Sequence, residues 1–131
     1  MTSPAPTPAP VILIVDDNDD TRLMYQELLG RCGFRVRLAA DGKEAIASAD
    51  EVLPAVIVMD LAMPGLNGWE ATRRLKTGER TRDVPVIVLT AHALDHYREV
   101  AVAAGCDEFL SKPCAIDDLV AAIRRSLPVA R

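Results

Sequence analysis

Five polar residues stand out for where they fall. Asp16 and Asp17 follow the apolar run VILIV (11–15), and Asp60 follows AVIVM (55–59). Thr90 follows VIVL (86–89), and Lys112 comes two residues after FL (109–110). Each run reads as a strand, so each polar group stands at or just beyond a strand's carboxyl end. Carboxylates brought that close repel, and one tends to take up a proton unless a cation intervenes. A hard divalent ion such as Mg²⁺ accepts a few carboxylate or carbonyl oxygens, keeps several waters and can share phosphate oxygens. Beside it an ionised Asp60 could attack phosphorus, a known use of carboxylates. Lys112 would supply a positive charge and Thr90 a hydroxyl to the equatorial phosphoryl oxygens. After Asp60 the chain continues LAMPGLNG, where Pro64, Gly65 and Gly68 permit a sharp turn with its backbone open to a metal and a phosphoryl group. Each residue alone is ordinary turn, cap or surface chemistry. It is their joint placement at the ends of successive strands that points to one site.

The elements that must hold these groups alternate along the chain. VILIV reads as a strand buried on both faces. A helix follows over 19–32, with Met24, Leu28 and Cys32 on its apolar stripe, widened by Tyr25 and Leu29 and stopped by Gly33. FRVRL (34–38) alternates apolar and basic residues, as an edge strand does. Asp41 with Glu44, and Asn67 with Glu70, form cap pairs for the second and third helices. Tyr97, Val100, Ala101 and Ala104 mark a fourth helix ended by Gly105, and Ile116, Leu119, Val120, Ile123 and Leu127 mark a fifth closed by Pro128. Five strands alternating with five helices predict an α/β fold: a doubly wound, flavodoxin-like parallel sheet with helices on both faces. Right-handed crossovers and an edge position for the second strand give the order 2-1-3-4-5, with the winding reversing between strands 1 and 3. Ligands of open α/β sheets bind outside the strand carboxyl ends at that reversal.

The 131 residues suit one domain, expected over 10–128, after a proline-rich, disordered tail over 1–9. Half the residues are hydrophobic and the net charge is −4, which argues against nucleic acid as the main ligand. No apolar stretch reaches the roughly 20 residues of a membrane span, and no secretory signal is visible. Cys32, Cys106 and Cys114 are odd in number and lack metal-site spacing, so they read as reduced core or near-surface thiols of a cytoplasmic protein.

Four motifs, ILIVDDN (12–18), VIVMDLAMPGLNGWE (56–70), PVIVLTA (85–91) and FLSKP (109–113), together resemble the receiver domains of bacterial two-component response regulators, including single-domain chemotaxis-type regulators. The resemblance covers about residues 10–127. It implies Asp60 as phosphoacceptor, Asp16 and Asp17 as the acidic pair holding Mg²⁺, with Asp17 the more direct ligand, and the backbone carbonyl of Ala62 as a further ligand. It implies Thr90 and Lys112 as the phosphoryl-contacting hydroxyl and amine, a cis Lys112–Pro113 peptide, and Phe109 as an aromatic switch residue. Ala62 stands where the family often has a polar residue, and His92 lies two after Thr90. The resemblance implies that both positions tune phosphoryl lifetime. Cys114 stands where the family often has a bulkier apolar residue.

The resemblance also implies partners. A sensor histidine kinase or histidine phosphotransfer protein would donate the phosphoryl group, docking near Asn18, Thr21 and Met24, and the donor histidine would be the partner's rather than His92 or His96. Signalling would pass by altered protein binding through the face of helix 4, strand 5 and helix 5, near Tyr97, Arg98 and Arg124, to a downstream protein target, with no direct nucleic-acid or membrane contact. The domain would be no enzyme beyond assisting its own phosphorylation and dephosphorylation. Because the chain stops soon after the fifth helix, no output domain is expected; it reads as a single-domain regulator or as the receiver module of a larger hybrid histidine kinase. A rival comes from DNDDT (17–21), which fits the signature of haloacid-dehalogenase-type phosphatases and would make Asp17 the nucleophile. That rival leaves MDLAMPGLNG unexplained.

Overall fold

A computed structural model describes residues 9–61, 67–91 and 95–127, with backbone alone at 95–97. The elements run β1 (Val11–Val15), α1 (Asp19–Arg31), β2 (Arg35–Ala39), α2 (Gly42–Val52), β3 (Val56–Met59), α3 (Gly68–Thr77), β4 (Val86–Thr90), α4 (Asp95–Ala103), β5 (Glu108–Ser111) and α5 (Ile116–Ser126). All strand pairs are parallel and the sheet order is β2-β1-β3-β4-β5, as the alternation predicts. Of the tail expected over 1–9, only Ala9 lies within the described residues.

Side chains on the central strands alternate between two apolar layers, which is why their sequences read as unbroken hydrophobic runs. Ile12, Ile14, Val56, Val58, Ile87 and Leu89 pack with Tyr25 and Leu29 of α1 and with Leu119, Val120, Ala122 and Ile123 of α5. On the other face Leu13, Val15, Ile57, Met59 and Val86 meet Ala45 and Ala49 of α2 and Ala71 and Leu75 of α3. A third cluster joins Leu61 and Val88 to Ala101 of α4, with Trp69, Cys106 and Phe109 packed against it. β2 exposes Arg35 and Arg37 and lies at the sheet edge, as its alternation requires.

α1 departs from the expected stripe. Tyr25 and Leu29 are its buried residues, whereas Met24 is 47% exposed and Cys32 lies open to solvent. The stripe is rotated by about one residue. Inward positions are 22, 25 and 29, at i, i+3 and i+7. Arg22 heads this stripe because its guanidinium reaches the backbone oxygen of Asp16 at 2.6 Å. A polar residue at the head of an inward stripe hides its true phase from a reading based on hydrophobicity.

The helix ends follow local chemistry. Asn18 caps α1 by accepting from Thr21 N–H at 2.9 Å, and Asp41 and Asn67 do the same for Glu44 and Glu70. The Glu44 carboxylate reaches back to Ala40 N–H, closing the capping box one residue before the cap itself. At the far end of α1, Gly33 adopts φ +95°. Its N–H reaches the Gly30 carbonyl, and Phe34 N–H reaches that of Leu29. These are the paired bonds of a Schellman motif, with Phe34 packed in the same core as Leu29. Phe34 is therefore held by the cap, and β2 starts one residue later than its apolar–basic pattern suggests.

Two substitutions separate glycine's roles here. Gly30 lies inside α1 with open space where a Cβ would stand, so Gly30→Ala should raise unfolding free energy by about 0.5–1 kcal/mol. Gly33→Ala should lower it by about 1–2 kcal/mol, because an L side chain is strained at that φ. Urea denaturation followed by circular dichroism measures both.

Candidate functional site

The register of the sheet assembles the site. Val15 pairs with Met59, so Asp16 and Asp60 lie side by side just beyond the ends of β1 and β3. Thr90 pairs with Ser111, which brings Lys112 to the same rim just beyond β5. Backbone bonds extend this alignment past the strands: Asp60 N–H donates to Val15 O at 3.0 Å, Asp16 N–H to Ala39 O at 3.1 Å, and Lys112 N–H to Thr90 O at 2.8 Å. The groups meet at the winding reversal between β1 and β3.

Carboxylate oxygens of Asp16, Asp17 and Asp60 all lie within 4.8 Å of one another. Asp16 is buried and Asp17 is exposed. One oxygen of Asp16 accepts from Asn18 N–H at 2.9 Å and the other from Lys112 Nζ at 2.7 Å. Lys112 Nζ also stands 3.7 Å from Asp60 Oδ2, so one ammonium bridges two of the three carboxylates. Burial pulls the Lys112 ammonium toward its neutral form. The hydrogen bond it donates to Asp16 and the charges of Asp60 and Asp16 together outweigh that, and its pKa ends above the ordinary 10.5. Burial likewise raises the Tyr25 phenol, partly offset by the nearby Lys112 charge. Thr90 is fully buried at the end of β4, and the Lys112–Pro113 peptide is cis.

All of Asp16, Asp17, Asp60, Thr90 and Lys112 therefore reach one rim, as their strand-end positions predict. The carbonyl of Ala62 and the loop over 62–66 lie outside the described residues, as do His92 and the side chains of His96 and Tyr97. Phe109 is half-buried on β5, with the Arg98 guanidinium 5.8 Å from its ring centre.

Two residues of the site escape a reading by residue chemistry. Gly68 figures in the sequence only as a turn residue. In the structure its Cα side faces the backbone of the acidic site: an added Cβ would stand 2.0 Å from the Asp60 carbonyl oxygen and 2.6 Å from Leu61 Cα. Its N–H donates to Leu61 O at 3.0 Å, so the start of α3 is pressed against the chain that carries Asp60. The other is Arg22, whose link to Asp16 was described above. Beside the rim, a groove of about 450 Å³ is lined by Thr21, Met24, Tyr25, Lys112, Pro113 and Cys114, among others.

The donor set has the chemistry of a hard-cation site: three carboxylates, all oxygen ligands, with one of them exposed. The family model of the response regulator receiver domain matches residues 12–124. The chain belongs to this family. Receiver domains are the phosphoacceptor switches of two-component signalling. Among curated relatives, transcriptional regulatory protein PrrA of Mycobacterium tuberculosis is 38% identical over 119 residues, covering 91% of this chain and 50% of the relative. Response regulator Rre1 of Synechocystis is 37% identical over 117 residues, covering 88% and 51%. The chain thus spans about half the length of the curated relatives it matches. Among solved structures, the receiver domain of sensor histidine kinase PA1611 from Pseudomonas aeruginosa, with a magnesium ion coordinated in its active site cleft, superposes with a TM-score of 0.84 at 38% identity, covering 89% of this chain and 96% of that one. The chemotaxis protein CheY4 of Vibrio cholerae gives 0.85 at 29% identity, covering 91% and 99%. Membership of the receiver family does not favour the phosphatase reading of DNDDT.

Replacing Lys112 by Met leaves Asp16 buried without its ammonium and should lower unfolding free energy by about 1–3 kcal/mol, reduced from a fully buried pair because Lys112 is 23% exposed. A raised folded-state pKa contributes stability that is complete below the unfolded value. The deficit of the variant should therefore be constant through neutral pH and shrink only as pH climbs beyond 10.5. Gly68→Ala must displace the Asp60 carbonyl or the start of α3, and should cost about 1–3 kcal/mol or more in the same denaturation experiment.

Proposed function

We propose that this receiver domain, over residues 10–128, takes a phosphoryl group on Asp60 from a histidine kinase or histidine phosphotransfer protein. The observation that carries the reading is the convergence of three carboxylates, Lys112 and Thr90 at the winding reversal of the sheet. Asp16, Asp17 and Asp60 would hold Mg²⁺, with Asp17 the more available ligand because both oxygens of Asp16 already accept hydrogen bonds. The family resemblance adds the Ala62 carbonyl to this set. When bound, Mg²⁺ neutralises carboxylate charge and withdraws charge from phosphoryl oxygens.

An Asp60 carboxylate oxygen attacks phosphorus, a P–O bond forms, and the P–N bond to the donor imidazole breaks. The departing nitrogen takes the bond's electron pair, and the imidazole leaves neutral when it carries a proton on its other nitrogen. Lys112, charged throughout neutral pH, is positioned to leave Asp16 for the new phosphoryl oxygens. Thr90 supplies its hydroxyl from the end of β4. Movement of Thr90 toward the new phosphoryl oxygens opens space behind it for Phe109 to rotate inward, and the surface of α4, β5 and α5 changes shape for a downstream protein. A coupling of roughly 1–3 kcal/mol between phosphorylation and that surface suffices for a 5- to 150-fold change in partner affinity.

The donor docks over the groove beside Lys112, where exposed Met24 and half-buried Thr21 line the wall. Exposed Leu23 and Met24 offer apolar contact without unfolding the core. Signalling runs by protein contact, without nucleic acid or membrane and without turnover of a separate substrate. A cytoplasmic setting follows from the sequence reading of Cys32, Cys106 and Cys114 as reduced thiols, none of which is in a disulfide here.

Incubation with acetyl phosphate and Mg²⁺, followed by intact-mass measurement, should show a gain of about 80 Da, the mass of one phosphoryl group. Asp60→Ala should abolish it, and chelation of Mg²⁺ should suppress it. An adduct that persists in Asp60→Ala, or maps to Asp17, would overturn the assignment.

A further inference from the structure

Asp17 poses a physical problem. It is exposed, yet it lies with Asp16 and Asp60 as a candidate cation ligand. An exposed carboxylate on a free turn loses backbone and side-chain freedom when it engages an ion, and that loss weakens binding. Here the backbone is restrained on both sides of Asp17. The peptide before it, whose oxygen belongs to Asp16, accepts a hydrogen bond from Arg22 Nη1 at 2.6 Å. The peptide after it, whose N–H belongs to Asn18, donates to Asp16 Oδ1 at 2.9 Å.

Arg22 is itself held. Its side chain is only 15% exposed, and its second terminal nitrogen pairs with the Asp19 carboxylate. It lies on the inward stripe of α1 with Tyr25 and Leu29, so the helix packing that buries those two residues also fixes the base of the arginine. The planar guanidinium can serve a carbonyl and a carboxylate at once, which a lysine ammonium on a flexible stem does with far less geometric definition.

We infer that Arg22 is a positioning residue for the cation site: by gripping the Asp16 carbonyl it sets the peptide that aims Asp17 at Asp60. The inference rests on the reading of Asp16, Asp17 and Asp60 as a Mg²⁺ site. Arg22 has no oxygen to offer a cation, and its contacts are to the Asp16 carbonyl and the Asp19 carboxylate, so it acts through the turn. Its charge alone would have the opposite effect, because a cation near three carboxylates disfavours a second cation. Geometry and charge therefore predict opposite signs.

The experiment is Mg²⁺ titration by isothermal calorimetry of the unphosphorylated protein and of Arg22→Lys and Arg22→Gln, with Mg²⁺ alone as the probe. Arg22→Lys keeps the charge and loses the two-pronged grip, whereas Arg22→Gln loses both. Positioning predicts weaker Mg²⁺ binding in both variants, by about 10-fold, the lower end of what loss of an outer support to a metal site costs. It also predicts faster amide exchange at residues 17–19 of the metal-free variants, with exchange in the central strands unchanged. Those strands report global stability, so a general loss of folding would show there. Unchanged affinity in Arg22→Lys with tighter binding in Arg22→Gln would mean that only charge acts, and would overturn the inference. Wild-type protein that binds no Mg²⁺ would instead overturn the metal-site reading itself, and the inference with it.

Discussion

The structure is organised around a repulsion. Two carboxylates of this site, Asp16 and Asp60, are largely buried, and their oxygens lie within 4.8 Å of each other and of Asp17. At an effective dielectric near 20, a pair of unit charges at that separation opposes folding by roughly 3 kcal/mol. One lysine, reaching across from the far side of β4, answers it. Lys112 touches Asp16, stands near Asp60, and is raised above its ordinary pKa by both. The ammonium that neutralises the cluster in this way is also the group proposed to move to a new phosphoryl anion.

The fold supplies what that balance needs. Two apolar layers pack on opposite faces of the sheet and leave its carboxyl edge as the place where charged side chains can gather without crossing the core. In-register pairing of β1 with β3 and of β4 with β5 carries alignment beyond the strands, through the backbone bonds of Asp16, Asp60 and Lys112. Below the rim the core is closed, and among the described residues no buried side-chain polar atom lacks a partner. β5 is less deeply buried than the central strands, and there Phe109 is half-buried under Arg98.

Backbone support around the acidic residues comes from groups with no chemistry of their own. Gly68 lets the start of α3 press against the Asp60 peptide, and Asn18 both caps α1 and donates its N–H to Asp16. Arg22 closes the same turn from the helix side. The peptides that carry the acidic side chains are held here from both sides, and a fixed backbone gives those side chains a defined direction.

Much of this was legible in the residues. Alternating apolar runs and amphipathic segments determined the element order, the edge position of β2 and the sheet order, because burial on both faces and right-handed crossovers leave few topologies. Asp16, Asp17, Asp60, Thr90 and Lys112 stood out by their joint placement at the ends of successive strands, although each alone is ordinary turn, cap or surface chemistry. Cap pairs at Asp41–Glu44 and Asn67–Glu70 were readable because they depend on neighbours three residues apart. The phase of α1 was not: stripes containing Met24 or Tyr25 are about equally apolar, and only packing against Ile12, Ile14 and α5 chose between them. The grip of Arg22 on Asp16 and the fit of Gly68 against Asp60 were equally hidden. Both are distances between backbone and side chain across a turn or a loop, and such distances exist only once the tertiary structure has formed.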